Sequence, residues 1–106
     1  MNRGLLLAGL IAIRLAPGIC MSPCDFELTL TVEKAEDNVK VEIEVDGSEG
    51  YYRNSEVPFK GEKSPRVQKI IYRAVPTGEY EVKATLFKHD LKTYEADVAI
   101  QRISIR

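Results

Sequence analysis

The sequence predicts an all-β chain, folded as an antiparallel sandwich of six to seven short strands. Three observations predict it. After residue 25, apolar residues recur at every second position through most of the chain, the period of a strand with one face buried. Polar clusters containing Gly, Pro, Asn or Asp interrupt those runs, as turns between strands do. Beyond the N-terminal segment, no stretch sustains the 3.6-residue period of an amphipathic helix. One sheet this apolar would leave a face uncovered, so two must stack.

The 106 residues suffice for one domain. With 44% hydrophobic and 29% charged residues, the composition is that of a globular chain rather than a disordered one. Formal net charge is −1, and without residues 1–18 the chain has 13 basic against 16 acidic side chains, a net −3. Nucleic acid is an unsuitable partner, because phosphate binding demands a basic excess.

Residues 1–18 read as an export signal. Arg3 supplies the basic start, an apolar run of about nine residues follows at 5–13, and Ala16 and Gly18 supply the small residues of a cleavage site. The run is too short to span a bilayer as a helix. The alternatives are a buried N-terminal strand or helix, or a retained anchor whose Arg14 snorkels to the headgroups. Residues 19–25 hold both cysteines, Cys20 and Cys24. In an oxidising compartment such a pair reads first as a disulfide. Lipid attachment at Cys20 is the second reading. The pair is a poor zinc signature, since a structural site wants four ligands and the single histidine, His89, is distant in sequence.

The domain proper is expected over 26–106. Phe26, Leu28, Leu30 and Val32 alternate with polar residues, and Val39, Val41, Ile43 and Val45 repeat the pattern. The short polar link Ala35-Glu36-Asp37-Asn38 predicts an antiparallel hairpin between them. A short strand is expected near 50–54, and an edge strand near 57–60, because Pro58 cannot donate to a ladder. From Val67 to Val75 the apolar phase is mixed at Ile70-Ile71-Tyr72, which predicts a bulge or burial of both faces. Tyr80, Val82, Ala84 and Leu86 then face inward, followed after a turn at 88–92 by Tyr94, Ala96, Val98 and Ile100. Ile103 and Ile105 have the opposite parity, so a bulge is expected near Gln101-Arg102.

The segment Val75-Pro76-Thr77-Gly78-Glu79-Tyr80-Glu81-Val82 resembles the corner leading into the penultimate strand of fibronectin type III, carboxypeptidase-regulatory-like and related bacterial immunoglobulin-like domains. The resemblance implies an immunoglobulin-like sandwich in which Pro76 and Gly78 make the turn between sheets. It also implies that Tyr80 buries its ring and reaches a backbone group with its hydroxyl. No active site comes with it, since these folds carry many functions. Unlike fibronectin type III domains, the chain has no Trp.

No catalytic residue, cofactor or metal is expected. His89 in Lys88-His89-Asp90 reads as a solvated turn residue with no nucleophile in sight. Glu42, Glu44 and Glu81 fall on the outward parity of strands. The candidate binding residues are Tyr51, Tyr52 and Arg53, because aromatics and Arg concentrate at interaction hot spots. The other reading of that cluster has one tyrosine in the core and one on the sheet surface. No Asn-X-Ser/Thr acceptor occurs. The function expected is an exported, non-catalytic interaction or structural module of the cell envelope or extracellular space, with a protein or glycan partner. Membrane contact would come only through the leader or a lipid at Cys20. The alternative is a small secreted inhibitor or effector that binds a protein target through its loops.

Overall fold

A computed structural model describes residues 10–90 and 92–106, the side chains of 89–95 excepted. The described chain is a β-sandwich. In order it contains β1 (Ile11–Ala16), β2 (Ile19–Cys20), β3 (Cys24–Val32), β4 (Asn38–Gly47), β5 (Tyr52–Pro58), a 3-10 turn at Gly61–Lys63, β6 (Val67–Val75), β7 (Gly78–Asp90) and β8 (Lys92–Ile105). One sheet has the order β1-β3-β6. The other has the order β2-β8-β7-β4-β5.

Strand parity builds the space between the sheets. Phe26, Leu28, Leu30 and Val32 of β3 meet Val41, Ile43 and Val45 of β4 and Val82, Ala84 and Leu86 of β7 in one buried cluster. Each such side chain gains about 1.5–3 kcal/mol on leaving water, and chain entropy offsets most of the sum. The sequence places these inward faces correctly, but it misplaces one connection. β3 and β4 do not form a hairpin, since they lie in different sheets and the 33–37 link crosses between layers. Alternation fixes which side of a strand faces the core and says nothing of which strand lies beside it. Asn38 closes the crossing, its Nδ2 donating to the Glu33 carbonyl at 3.0 Å. A bulge between Asn38 and Lys40 buries Asn38 and leaves Val39 only half-buried.

Part of the stretch read as a leader is a strand here. Ile11, Ile13 and Leu15 alternate with Ala12, Arg14 and Ala16, and β1 pairs antiparallel with β3, Ile13 opposite Leu30. Ile11 and Ile13 are 6% exposed and belong to the core. Residues 1–9, the start of the expected signal, lie outside the described residues. The expected domain boundary at 26 therefore does not coincide with the start of the described sandwich at Leu10.

β8 also departs from expectation. No bulge falls at Gln101-Arg102, since the register with β7 runs unbroken from Asp97 to Ile105 and shifts instead between Leu86 and Phe87. Ile103 and Ile105 keep their inward parity, so Val98 and Ile100 turn outward, 41% and 45% exposed. The reason lies at Asp97, whose Oδ2 accepts the amides of Leu10 at 2.7 Å and Ile11 at 3.2 Å. That carboxylate anchors the start of β1 and fixes the phase of β8 beside it. The expected strands at 50–54 and 57–60 are one edge strand, β5, with Pro58 at its end.

Neither a bulge nor burial of both faces accounts for Ile70-Ile71-Tyr72 in β6, where the register with β3 is unbroken and Ile71 is simply exposed; the strand's irregularity lies beyond, towards Val75. Its register with β3 shifts between Cys24 and Phe26, opposite Val75 and Tyr72. Ala74 takes φ +53 there and donates its amide to Asp25 Oδ1 at 2.7 Å. Ile70 and Tyr72 accordingly face inward while Ile71 faces out.

Candidate functional site

Tyr51, Tyr52 and Arg53 sit where the β4–β5 turn enters β5. The turn needs Gly50 at φ +88, and Gly47 donates its amide to the Tyr51 carbonyl at 2.8 Å. A Cβ on Gly47 would fall 2.6 Å from the Tyr80 ring, so glycine lets that ring close under the turn. The Tyr80 hydroxyl donates to the Pro76 carbonyl at 2.7 Å, the corner bond that the resemblance implies. Two further bonds tie this turn to the start of β7. Ser48 N donates to the Glu79 carbonyl at 2.9 Å, and Glu79 N donates to Ser48 Oγ at 3.2 Å.

On this frame the three candidates part company. The Tyr51 ring meets Tyr80 edge-on at 5.4 Å and carries the Arg53 guanidinium 4.7 Å above its centroid. Both are thus tied to the core's rim. Tyr52, 50% exposed, lies on the outer face, its hydroxyl donating to Glu44 Oε2 at 3.2 Å and accepting from Asn54 Nδ2 at 3.4 Å. Partial desolvation beside these neighbours, then the Glu44 charge, push its phenol above the ordinary value. One tyrosine at the core and one on the surface is the other reading given above for this cluster.

Beside the turn lies an open depression of about 310 Å³, lined by Asp46, Gly47, Ser48, Glu79, Tyr80, Glu81 and Arg102. Its charges are largely answered. Arg102 Nη2 meets Glu81 Oε2 at 2.9 Å, and Ser104 Oγ donates to Glu79 Oε1 at 2.6 Å. The outer face continues as a charged ladder, with Lys83 on Glu44 and Lys40 on both Glu42 and Glu56. These are solvated pairs of small energetic weight. They place no nucleophile beside a base. The side chain of His89 lies outside the described set.

Cys20 and Cys24 are joined by a disulfide, with Cα atoms 6.1 Å apart. Cys20 belongs to β2, paired parallel with β8, while Cys24 opens β3 in the other sheet. The bond thus pins the two layers together where the chain crosses between them.

Sequence reasoning missed two apolar surfaces. Val98 and Ile100 stand outward on β8, and Val67 and Ile71, each 50% exposed, stand outward on β6. The mixed phase at Ile70-Ile71-Tyr72 was the signal available for the second. The neighbouring Tyr72 stacks on Phe26 at 5.1 Å. Burial pushes its phenol pKa up, against the opposing pull of the Ser55 hydroxyl nearby.

No family model matches the chain, and no curated protein matches its sequence. Solved structures do resemble it. The CARDB domain of a Pyrococcus furiosus protein, in complex with di-metal ions, is 17% identical with a TM-score of 0.53, over 90% of this chain and 89% of that one. The superoxide reductase (neelaredoxin) of Ignicoccus hospitalis is 9% identical with a TM-score of 0.57, over 90% and 80%. At these identities the likeness is one of fold, an immunoglobulin-like β-sandwich, and it transfers no chemistry. Among the described residues no three His, Cys, Asp or Glu side chains stand together as metal ligands. Among them, too, no helix is long and apolar enough to cross a membrane.

Proposed function

We propose that this chain is a non-catalytic interaction or structural module working outside the cytoplasm, in the cell envelope or extracellular space. The observation that carries this reading is the surface. Val67 and Ile71 on one sheet, and Val98 and Ile100 on the other, stand 41–50% exposed around a core that closes without them. Aliphatic side chains held open on rigid strands, Val98 and Ile100 as neighbours on one face and Val67 and Ile71 on either side of Lys69, suit contact with another macromolecule. The Cys20–Cys24 bond supports an oxidising compartment.

Export would use the N-terminal segment as its address. A cut after Gly18 would strip Ile11 and Ile13 from the core and leave the Asp97 carboxylate without its two amide donors. A cut upstream of Leu10, or none, keeps the sandwich whole. The test is mass spectrometry of the native protein after thiol alkylation, combined with cross-linking in intact cells. The expected result is an intact disulfide, an N-terminus at or before Leu10, and a stoichiometric neighbour. Reduced cysteines in a cytosolic fraction, or a turnover lost on His89→Ala, would end the proposal.

A further inference from the structure

We propose that the open edge of β6 is a docking site for an extended acidic segment of a partner protein, added antiparallel as a fourth strand of the first sheet. This rests on the interaction-module reading and gives it a site and a partner chemistry. β6 is nine residues long, contains no proline, and pairs only with β3 among the described strands. Among the described residues its far side is unpaired and presents a row of backbone donors and acceptors, which is how a sheet accepts another chain.

The layer beneath that edge is incompletely covered. Leu28 and Leu30 on β3 are fully buried, whereas the inward residues of β6, Gln68, Ile70 and Tyr72, are only half-buried. A further strand would cover them with its own inward side chains, which must be apolar. The outward side chains of β6 set the remaining chemistry. Lys69 and Arg73 flank Ile71, and their carboxylate neighbours Glu27 and Asp25 stand at 3.9 and 3.7 Å, leaving the two cations 63% and 71% exposed. Arg66 precedes the strand. A segment alternating acidic with apolar residues answers both faces at once.

For a second copy of this chain, antiparallel self-pairing of β6 centred on Ile71 sets Lys69 opposite Arg73, and centring it on Lys69 sets that residue opposite itself. Like charges directly opposed on a sheet are destabilising. A register centred on Ile70 escapes both, so sedimentation of the free chain is what separates a second copy from an acidic partner.

The test is amide hydrogen exchange of the full chain with two synthetic peptides of the nine-residue length of β6, one alternating Glu with Val and the other Lys with Val. The Glu peptide should slow exchange of alternate β6 amides. It should bind about tenfold more weakly to the Lys69→Glu/Arg73→Glu variant, and likewise to the unaltered protein in about 1 M salt, where screening acts within about 3 Å. Unchanged exchange along β6, equal binding of the two peptides, or a dimer in sedimentation without peptide would overturn the proposal. Photoreactive residues at positions 71 and 52 separate it from the reading beneath it. In intact cells, capture of a neighbour from position 52 and not from 71 removes the β6 site alone, and silence at both removes the interaction module too.

Discussion

Two of the edge strands, β5 and β6, border the same core and are finished differently. On β5, Tyr52, Asn54 and Glu56 engage one another or the β4 side chains Glu44 and Lys40, and the strand ends at Pro58. On β6, aliphatic Val67 and Ile71 face water. The inward residues of both edges are incompletely covered, but they are polar on β5, at Arg53 and Ser55, and largely apolar on β6, at Ile70 and Tyr72. Both edges pair charges with the strand beside them, Lys69 and Arg73 of β6 with Glu27 and Asp25 of β3. But β6 adds exposed aliphatic side chains, and an edge that is both apolar and cationic selects what it pairs with. A sandwich can therefore be complete in its core and unfinished along one border.

The contrast is sharpest in what lies at each edge. Ile43 faces the core opposite Ser55 of β5 and is fully buried, so Ile43→Ala should cost about 3–4 kcal/mol. Ile70→Ala, on the β6 edge itself and opposite the fully buried Leu28 of β3, should cost about 1–2 kcal/mol because solvent already reaches the site. Urea denaturation of both variants measures the difference, and equal losses would break the comparison. Replacing both Cys20 and Cys24 with Ser should cost about 2 kcal/mol from the freed chain, in the loop-closure account. Calorimetry under matched conditions reads that loss.

Smaller effects separate the edges further. Ala74, at φ +53 in the β6 bulge, adopts a conformation that penalises a side chain. Ala74→Gly should therefore raise stability by about 0.5–1 kcal/mol, while its amide bond to Asp25 is kept. A fall in melting temperature would show that the strain is absent. The smallest effect is at β5. Lys40 is held above its ordinary 10.5 by hydrogen bonds to Glu42 first and then Glu56. Because the folded pKa is raised, the contribution is fully present below pH 10.5 and lost as pH rises through the folded value. Thermal melts above pH 10.5 should therefore show a slight decline that Lys40→Met abolishes.

Much of the core was legible because its signal is local. The inward faces of β3 and β7, and the Tyr80 corner, follow from parity and from a short turn motif. Three features were hidden because they depend on distant partners. Whether β3 pairs with β4 depends on the whole topology. The phase of β8 is set by Asp97 binding amides at Leu10 and Ile11, some 86 residues away. A run such as Leu10 to Ile13 satisfies both an export signal and a core strand, since hydrophobicity serves either. In the binding cluster, the sequence names Tyr51, Tyr52 and Arg53 together, but only contact with Tyr80 and Glu44 sorts them into rim and surface.

Residue-resolved amide exchange of the unliganded chain tests the unfinished border most directly. Along 67–73, every second amide should exchange nearly freely while the intervening ones, bonded to β3, are protected. Uniform protection of that strand would mean something already lies beside it, and the distinction between the two edges would fall.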